Sequence, residues 1–412
     1  MFTNRLQAFE KIIAFSLIFL IPTQLAFHFW PQSSFVFGIR VDYLSPAVYL
    51  TDLLITLLIF LWLINDKKSL TTFLNNHKLV ITVLLLFITS NILLSTSIWI
   101  SLFKWLKIIE ISLFGLYIYI RKSFLEEEKI LLSIFLSSVF FSAIGIAQFF
   151  LRATTGIFYI LGERAFSTQT PGIALLQING RDFLRVYSTL PHPNALAGYL
   201  GAVLLLIVGS NFLKEKKYLW GGLIATTVCF ILTFSLTGVI SFFTALVIYI
   251  FKKNKMLVQR GAKVLVWLTV LLSLFLPFVS SNQLLRSRLS KNLAERLDLS
   301  YLSGKMISDR FLFGEGLNTF IKNIPSFNKA LTSPWLLQPV HNIYLLVLAE
   351  TGILGLLIFL WGVFLLLAKL SKKDNFIYLP VFVFILLTGT MDHYWFTIQQ
   401  NLLLLSFLLG FF

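Results

Sequence analysis

His341 and Asn342 open a long apolar run, "PVHNIYLLVLAETGILGLLIF". An imidazole titrates near neutrality and can take or give a proton at physiological pH. A helix that only fills lipid has no use for one, nor for the Glu350, Gly352 and Gly355 of its first turns. A second segment, "GRDFLRVYSTLPHPNALAGYL", carries Arg181, Arg185, His192 and Asn194. Pro193 marks a helix start, and its two polar neighbours are compatible with capping it. A guanidinium a few residues above a membrane pairs with headgroups or grips a phosphate in two-point fashion.

A third segment, "LLRSRLSKNLAERLDLSYLSGKMI", spaces Leu285, Leu289, Leu293 and Leu297 by four, the pattern of an amphipathic helix lying on a membrane surface. Lys291 falls opposite the leucines, whereas Arg296 falls within their stripe. There it either snorkels to lipid phosphate or points into a protein pocket that holds an anion. The "FLFGEGLNTF" that follows uses Gly314 and Gly316 for a tight loop or a close approach, and Glu315 reads as solvated. In "ISLFKWLKIIEISLF", Lys104, Lys107 and Glu110 share one helix face at three-residue spacing. They form either an ion-pair ladder or a cationic groove for a lipid-linked phosphate. Asp52, like Glu350, is expected to face a protein interior or a wet cavity. Asp392 and His393 precede Tyr394 and Trp395, which read as interface anchors.

These residues must be positioned by membrane helices. Of 412 residues, 57% are hydrophobic and 13% charged, and the mean hydropathy is +0.85. A soluble domain cannot hide that much apolar surface. Hydropathy predicts an all-α polytopic protein, a single transmembrane domain over residues 1–412 with about twelve spans. They are expected near 11–29, 44–64, 79–96, 98–120, 129–150, 192–212, 218–235, 237–251, 263–280, 341–368, 376–389 and 395–411. Basic runs such as "NDKKS", "RKSFLEEEK" and "KKNKMLVQRGAK" fall in alternate loops, which puts both termini in the cytoplasm. The formal charge of +16 is thereby distributed among loops, and a nucleic-acid partner is not expected.

Two outer loops, 151–191 and 281–340, are long enough to expect function of them. Basic residues and His341 converge on that face, which suits an anionic lipid-linked substrate. The single Cys229 excludes disulfides, iron–sulfur clusters and thiolate zinc sites. No acidic pair or cluster of metal-ligand spacing stands out, so neither a metal nor another cofactor is expected.

From about residue 170 to 412 the sequence resembles the O-antigen ligase and O-antigen polymerase membrane glycosyltransferases. The strongest element is His341-Asn342, nine residues, Gly352, two residues, Gly355. "RVYSTLPHPNALAGYL" and "ERLDLSYLSGKMISDRFLFGEGLNTF" resemble two further family segments, with Tyr301 near the usual Trp and Phe311 in place of the usual Pro. The resemblance implies a fold like that of type-C glycosyltransferases, with a large helical loop on the outer face. It implies transfer of a glycan from an undecaprenyl-diphosphate carrier to an acceptor hydroxyl on a lipid or glycan, in the bacterial inner membrane with the active site facing outward. Carried onto this chain, Arg185 and Arg296 bind the diphosphate and His341 is essential. Asn342, Arg181, His192, Asn194, Arg310, Lys104 and Lys107 are supporting candidates. Protein O-glycosylation within the same family is one alternative; a transporter or flippase for lipid-linked glycans is the alternative of another class.

Overall fold

The computed structural model describes residues 2–412 except 211, 215, 252–254, 281–290, 329–335 and 373–374. Helices dominate, with three small two-stranded antiparallel sheets on the connections. α1 (Phe2–Phe19) stops short of the expected 29 because Pro22 follows within three residues and disfavours helix around it. The chain then leaves the helix, and β1 (Ala26–His28) pairs with β4 (Ala47–Tyr49) around the hairpin of β2 (Phe35–Val36) and β3 (Ile39–Arg40).

Next come α2 (Leu50–Asn76), α3 (Lys78–Leu93), α4 (Ile98–Leu125) and α5 (Glu127–Leu151). Residues 152–192 include β5 (Leu175–Ile178) and β6 (Arg181–Leu184). Glu163 pins this loop: its carboxylate accepts from Gln148 Nε2 at 2.8 Å, from the Thr155 backbone at 2.7 Å and from the Thr155 hydroxyl at 2.6 Å. Then follow α6 (Pro193–Gly209), α7 (Trp220–Leu232), α8 (Leu236–Ile250), α9 (Lys255–Ser280), α10 (Lys291–Asp309) and α11 (Phe320–Phe327). The chain closes with α12 (Ile343–Leu370), α13 (Leu379–Gly389), the single turn α14 (Tyr394–Thr397) and α15 (Gln399–Phe411).

α6 is apolar on every face, and nearly all of it is buried against α5, α7, α8 and α13. It is the hub of the main core. A second core lies beneath the long loops, where Leu299, Leu302 and Met306 of α10 meet Phe320, Ile324, Leu345 and Ala349.

Among the described residues, three helices are long and apolar enough to cross a membrane: α5, residues Gln259–Ser280 of α9, and α12. A fourth is added if α2 and α3, bent by 78°, form one span. α6, α8, α13, α15 and the Lys217–Leu232 stretch that includes α7 are apolar but shorter, so length and composition alone do not establish the expected count of about twelve spans. The chain is an integral membrane protein whose apolar segments are divided by bends and short turns. Hydropathy registers apolar content but is blind to where a helix breaks.

α10 also departs from expectation. Leu297, Leu299, Leu302 and Met306 are buried and the helix packs on α9 and α12, while Leu293 is exposed. It is a roof over protein rather than a helix resting on lipid alone. Leu285, Leu289, Arg286, Arg288 and Lys329 lie outside the described residues, as does the side chain of Lys291. Tyr394 and Trp395 are likewise buried rather than interfacial. Trp395 Nε1 donates to Thr388 Oγ1 at 2.8 Å, and the Tyr394 ring fills the space left by Gly198.

The motif glycine Gly352 breaks α12, with φ +66° and ψ −172°, a conformation that L side chains rarely adopt. Freed backbone groups there pair with the 311–316 loop: Ile353 N donates to Phe311 O at 2.8 Å, Gly316 N to Glu350 O at 3.0 Å and Glu315 N to Ala349 O at 2.9 Å. A loop, not a second helix, makes the close approach at Gly352, where a Cβ would strike the Leu312 carbonyl. The Glu350 carboxylate accepts the Asn318 and Phe320 backbone N–H groups at 2.8 and 3.2 Å, which ties the loop and the start of α11 to α12.

Glu315, expected in solvent, is 2% exposed. Burial pushes its carboxyl up to about 7, opposed by Arg310, whose Nε lies 3.6 Å away. An acid raised from its unfolded value holds its proton in the folded state, so its ionisation weakens folding progressively from about pH 4.5 to 7. Glu315→Gln should therefore raise the thermal midpoint at pH 8 and lose that advantage below about pH 4.5. An equal midpoint for the two proteins at pH 8 would show that Glu315 is not held protonated.

Candidate active site

The site is assembled at the loop-bearing end of the bundle, where the starts of α6 and α12 meet the turn between α13 and α14. Asn342 caps α12: its Oδ1 accepts the Tyr344 and Leu345 N–H groups at 3.0 Å each, while its Nδ2 donates to Thr390 O at 3.0 Å. The cap thus fixes the helix start to the 390–393 turn. It sets His341 beside that turn, with Nδ1 3.5 Å from Asp392 Oδ1. That is ion-pair distance rather than a formed hydrogen bond, and His341 Nδ1 is buried without a hydrogen-bond partner.

Asp392 is buried and held from several sides. Oδ1 accepts its neighbour's His393 N–H at 2.8 Å, and Oδ2 accepts Asn194 Nδ2 at 2.9 Å. Burial pulls its carboxyl upward, but the imidazoles of His341, His393 and His192 hold it well below the usual carboxylate range. His393 is driven the other way, down to about 3, chiefly by burial and despite Asp392. It is therefore neutral at physiological pH. The Thr397 hydroxyl donates to His393 O at 3.1 Å, which leaves Thr397 Oγ1 to accept from His393 Nδ1–H at 2.7 Å.

The arginines complete the cluster. Arg185 donates through Nε to Thr233 O and through Nη2 to Asn194 Oδ1, both at 2.8 Å. Asn194 therefore bridges Arg185 to Asp392. Arg296 donates through Nη1 to Met391 O at 2.8 Å, so it points toward the protein turn. It lies close enough to Arg185 and His393 to act on both electrostatically.

The fold thus brings together Arg185, Arg296, His341, Asn194 and Asn342. His192 stands at their edge as the cap of α6, with Nδ1 accepting from Asn194 N at 3.1 Å. The other candidates fall elsewhere. Arg181 is exposed on β6. Arg310 donates to Leu94 O at 2.8 Å and faces Glu315. Lys107 is paired with Asp52 and with Glu110, the latter at 3.3 Å, the ion-pair arrangement of the two read from sequence. Lys104 lines a separate cavity.

The sequence marks Asp392 and His393 only as the residues before Tyr394 and Trp395. The signal that could have found them is an Asp-His pair in an otherwise apolar turn at the same end as His341. Together the three offer ligand atoms within 4.8 Å of one another, a constellation that spacing along the sequence does not reveal. Both Asp392 oxygens are already hydrogen-bonded and two guanidiniums stand nearby, which suits an anion better than a divalent cation.

The arrangement can hold an anion with guanidiniums and place a carboxylate-backed imidazole beside it. No curated protein matches the chain. Residues 221–360 match the family model described as O-antigen ligase; the matched stretch carries Arg296, His341 and Gly352, but stops short of Asp392 and begins after Arg185. Over that stretch, about a third of the chain, the protein is similar to the O-antigen ligase family.

Proposed function

We propose that this protein transfers a glycan from an undecaprenyl-diphosphate carrier to an acceptor hydroxyl at the outer face of the bacterial inner membrane, without a metal and with inversion. The observation that carries the reading is the convergence of Arg185 and Arg296 on the His341–Asp392 pair. Guanidiniums suit a diphosphate and stabilise the charge that grows on it as it leaves. With Nδ1 turned to Asp392, the Nε2 of His341 is the nitrogen that can take the acceptor proton.

The step balances without a co-reactant. The acceptor oxygen forms a bond to the anomeric carbon as the bond from that carbon to the diphosphate breaks. The hydroxyl proton passes to His341, and the carrier leaves as its diphosphate. Attack opposite the leaving group inverts the anomeric centre. The ligase, polymerase and protein-glycosylating forms of this reaction share the donor and differ in the acceptor.

A second reading is a divalent ion on His341, Asp392 and His393, favoured by their mutual approach. Both are tested by incubating purified protein with an undecaprenyl-diphosphate glycan and an acceptor, with and without EDTA. Carrier diphosphate should be released at the same rate in both. Loss of activity in EDTA, restored by a divalent cation, favours the second reading; no release with any acceptor ends the transferase reading.

A further inference from the structure

Beside the cluster lies a separate cavity of about 410 Å³, walled by β4, the start of α4 and the turn α14. None of Arg185, Arg296, His341 or Asp392 lines it. It touches the cluster through two residues: Tyr43, whose ring meets His393 edge-on at 5.6 Å, and Thr397, bonded to His393. His393 in turn lies against His341, ring centroids 5.0 Å apart. The cavity therefore adjoins the imidazoles through Tyr43 and Thr397.

The charges in the walls are unequal. Lys107 is neutralised by Asp52 and Glu110. Lys104, one turn earlier on α4, lines the cavity with no ion pair or hydrogen bond among the described residues. It sits roughly 9 Å along the helix from Ile98, at 1.5 Å per residue. Glu350 acts on it only at longer range, and a cation at that depth outside any ion pair is a candidate binding feature. Arg164 also lines the cavity, held by one bond from Nη2 to Pro191 O at 2.7 Å. Trp99 and Phe103 supply flat apolar walls, and Trp99 is 78% exposed at the rim. Asp42 also lines the cavity, among several uncharged polar side chains; polar groups facing aromatic walls fit a polar ligand with an apolar face.

We propose that this cavity is the acceptor subsite and that it takes a glycan bearing an anionic substituent, held by Lys104 and Arg164 with its sugar against Trp99 and Phe103. The inference rests on the transferase reading, since only that reading requires a second substrate to approach His341 opposite the diphosphate. A phosphate and a carboxylate on the sugar share the chemistry that Lys104 recognises.

The test measures binding without donor, by calorimetry on detergent-purified protein. The probes are a short-chain alkyl glycoside, its 6-phosphate, its uronate and inorganic phosphate alone. Wild type should bind a charged glycoside at least about 10-fold more tightly than the neutral one, the scale of one charged hydrogen bond. Lys104→Gln should erase that preference and Lys104→Arg should keep it, with unchanged thermal midpoints in both. The relative affinities of phosphate and uronate identify the substituent. A preference that survives Lys104→Gln, or inorganic phosphate binding as tightly as the phosphorylated glycoside, overturns the assignment. Transfer that proceeds normally while Lys104→Gln leaves acceptor KM unchanged overturns the subsite alone. Charge-selective binding without carrier release in any donor assay overturns the transferase reading and leaves the anion-binding cavity standing.

Discussion

His341→Ala should lower glycan transfer by about 10²- to 10⁴-fold, the range general acid–base catalysis contributes, while the carrier diphosphate still binds. The separation of the two effects follows from the geometry. His341 stands beside Asp392, whereas the guanidiniums are held by Thr233, Asn194 and Met391 rather than by the imidazole. Single-turnover rates with pre-bound donor, alongside equilibrium donor binding, separate chemistry from affinity. Comparable turnover by the alanine variant removes His341 from the reaction. Asp392→Asn is the companion: it keeps the volume but removes the charge behind the imidazole. It should slow the chemical step, because the imidazole loses the carboxylate that orients it. An unaltered single-turnover rate would mean that Asp392 only fixes the turn.

Arg185→Gln should weaken donor binding by about 10- to 100-fold, the scale of a lost charge-assisted hydrogen bond, and should slow transfer as well. The second effect arises because Arg185 also holds Asn194, which holds Asp392. Arg296→Gln should weaken binding without that additional loss, since its bond runs to the Met391 carbonyl and not to the Asn194–Asp392 chain. The contrast is the diagnostic: equal effects on kcat from the two variants would argue against the Asn194 relay. Donor binding unchanged in both would take the arginines out of the diphosphate site.

Membrane class and the His341 helix start were legible in the sequence because composition, helix caps and glycine spacing act over a few residues. Asn342 caps its helix through the next three residues. Other features were out of reach. Glu315 looks like a surface acid until α12 breaks at Gly352 and takes the 311–316 loop into the gap. The span predicted as continuous over 341–368 is broken at Gly352, since a local break leaves hydropathy unchanged.

By itself the sequence determined that the chain is an integral membrane protein and which arginines and histidine deserved attention. The tertiary structure alone decided that Asp392, 51 positions from His341 along the chain, stands behind it, that Asn194 joins Arg185 to that carboxylate, and that Lys104 faces a cavity while Lys107 is neutralised. The physical reason is common to all three. Local rules fix helices and caps through neighbouring backbone groups, whereas a side chain's charge and hydrogen-bond partners are set by residues that only packing brings within a few ångströms.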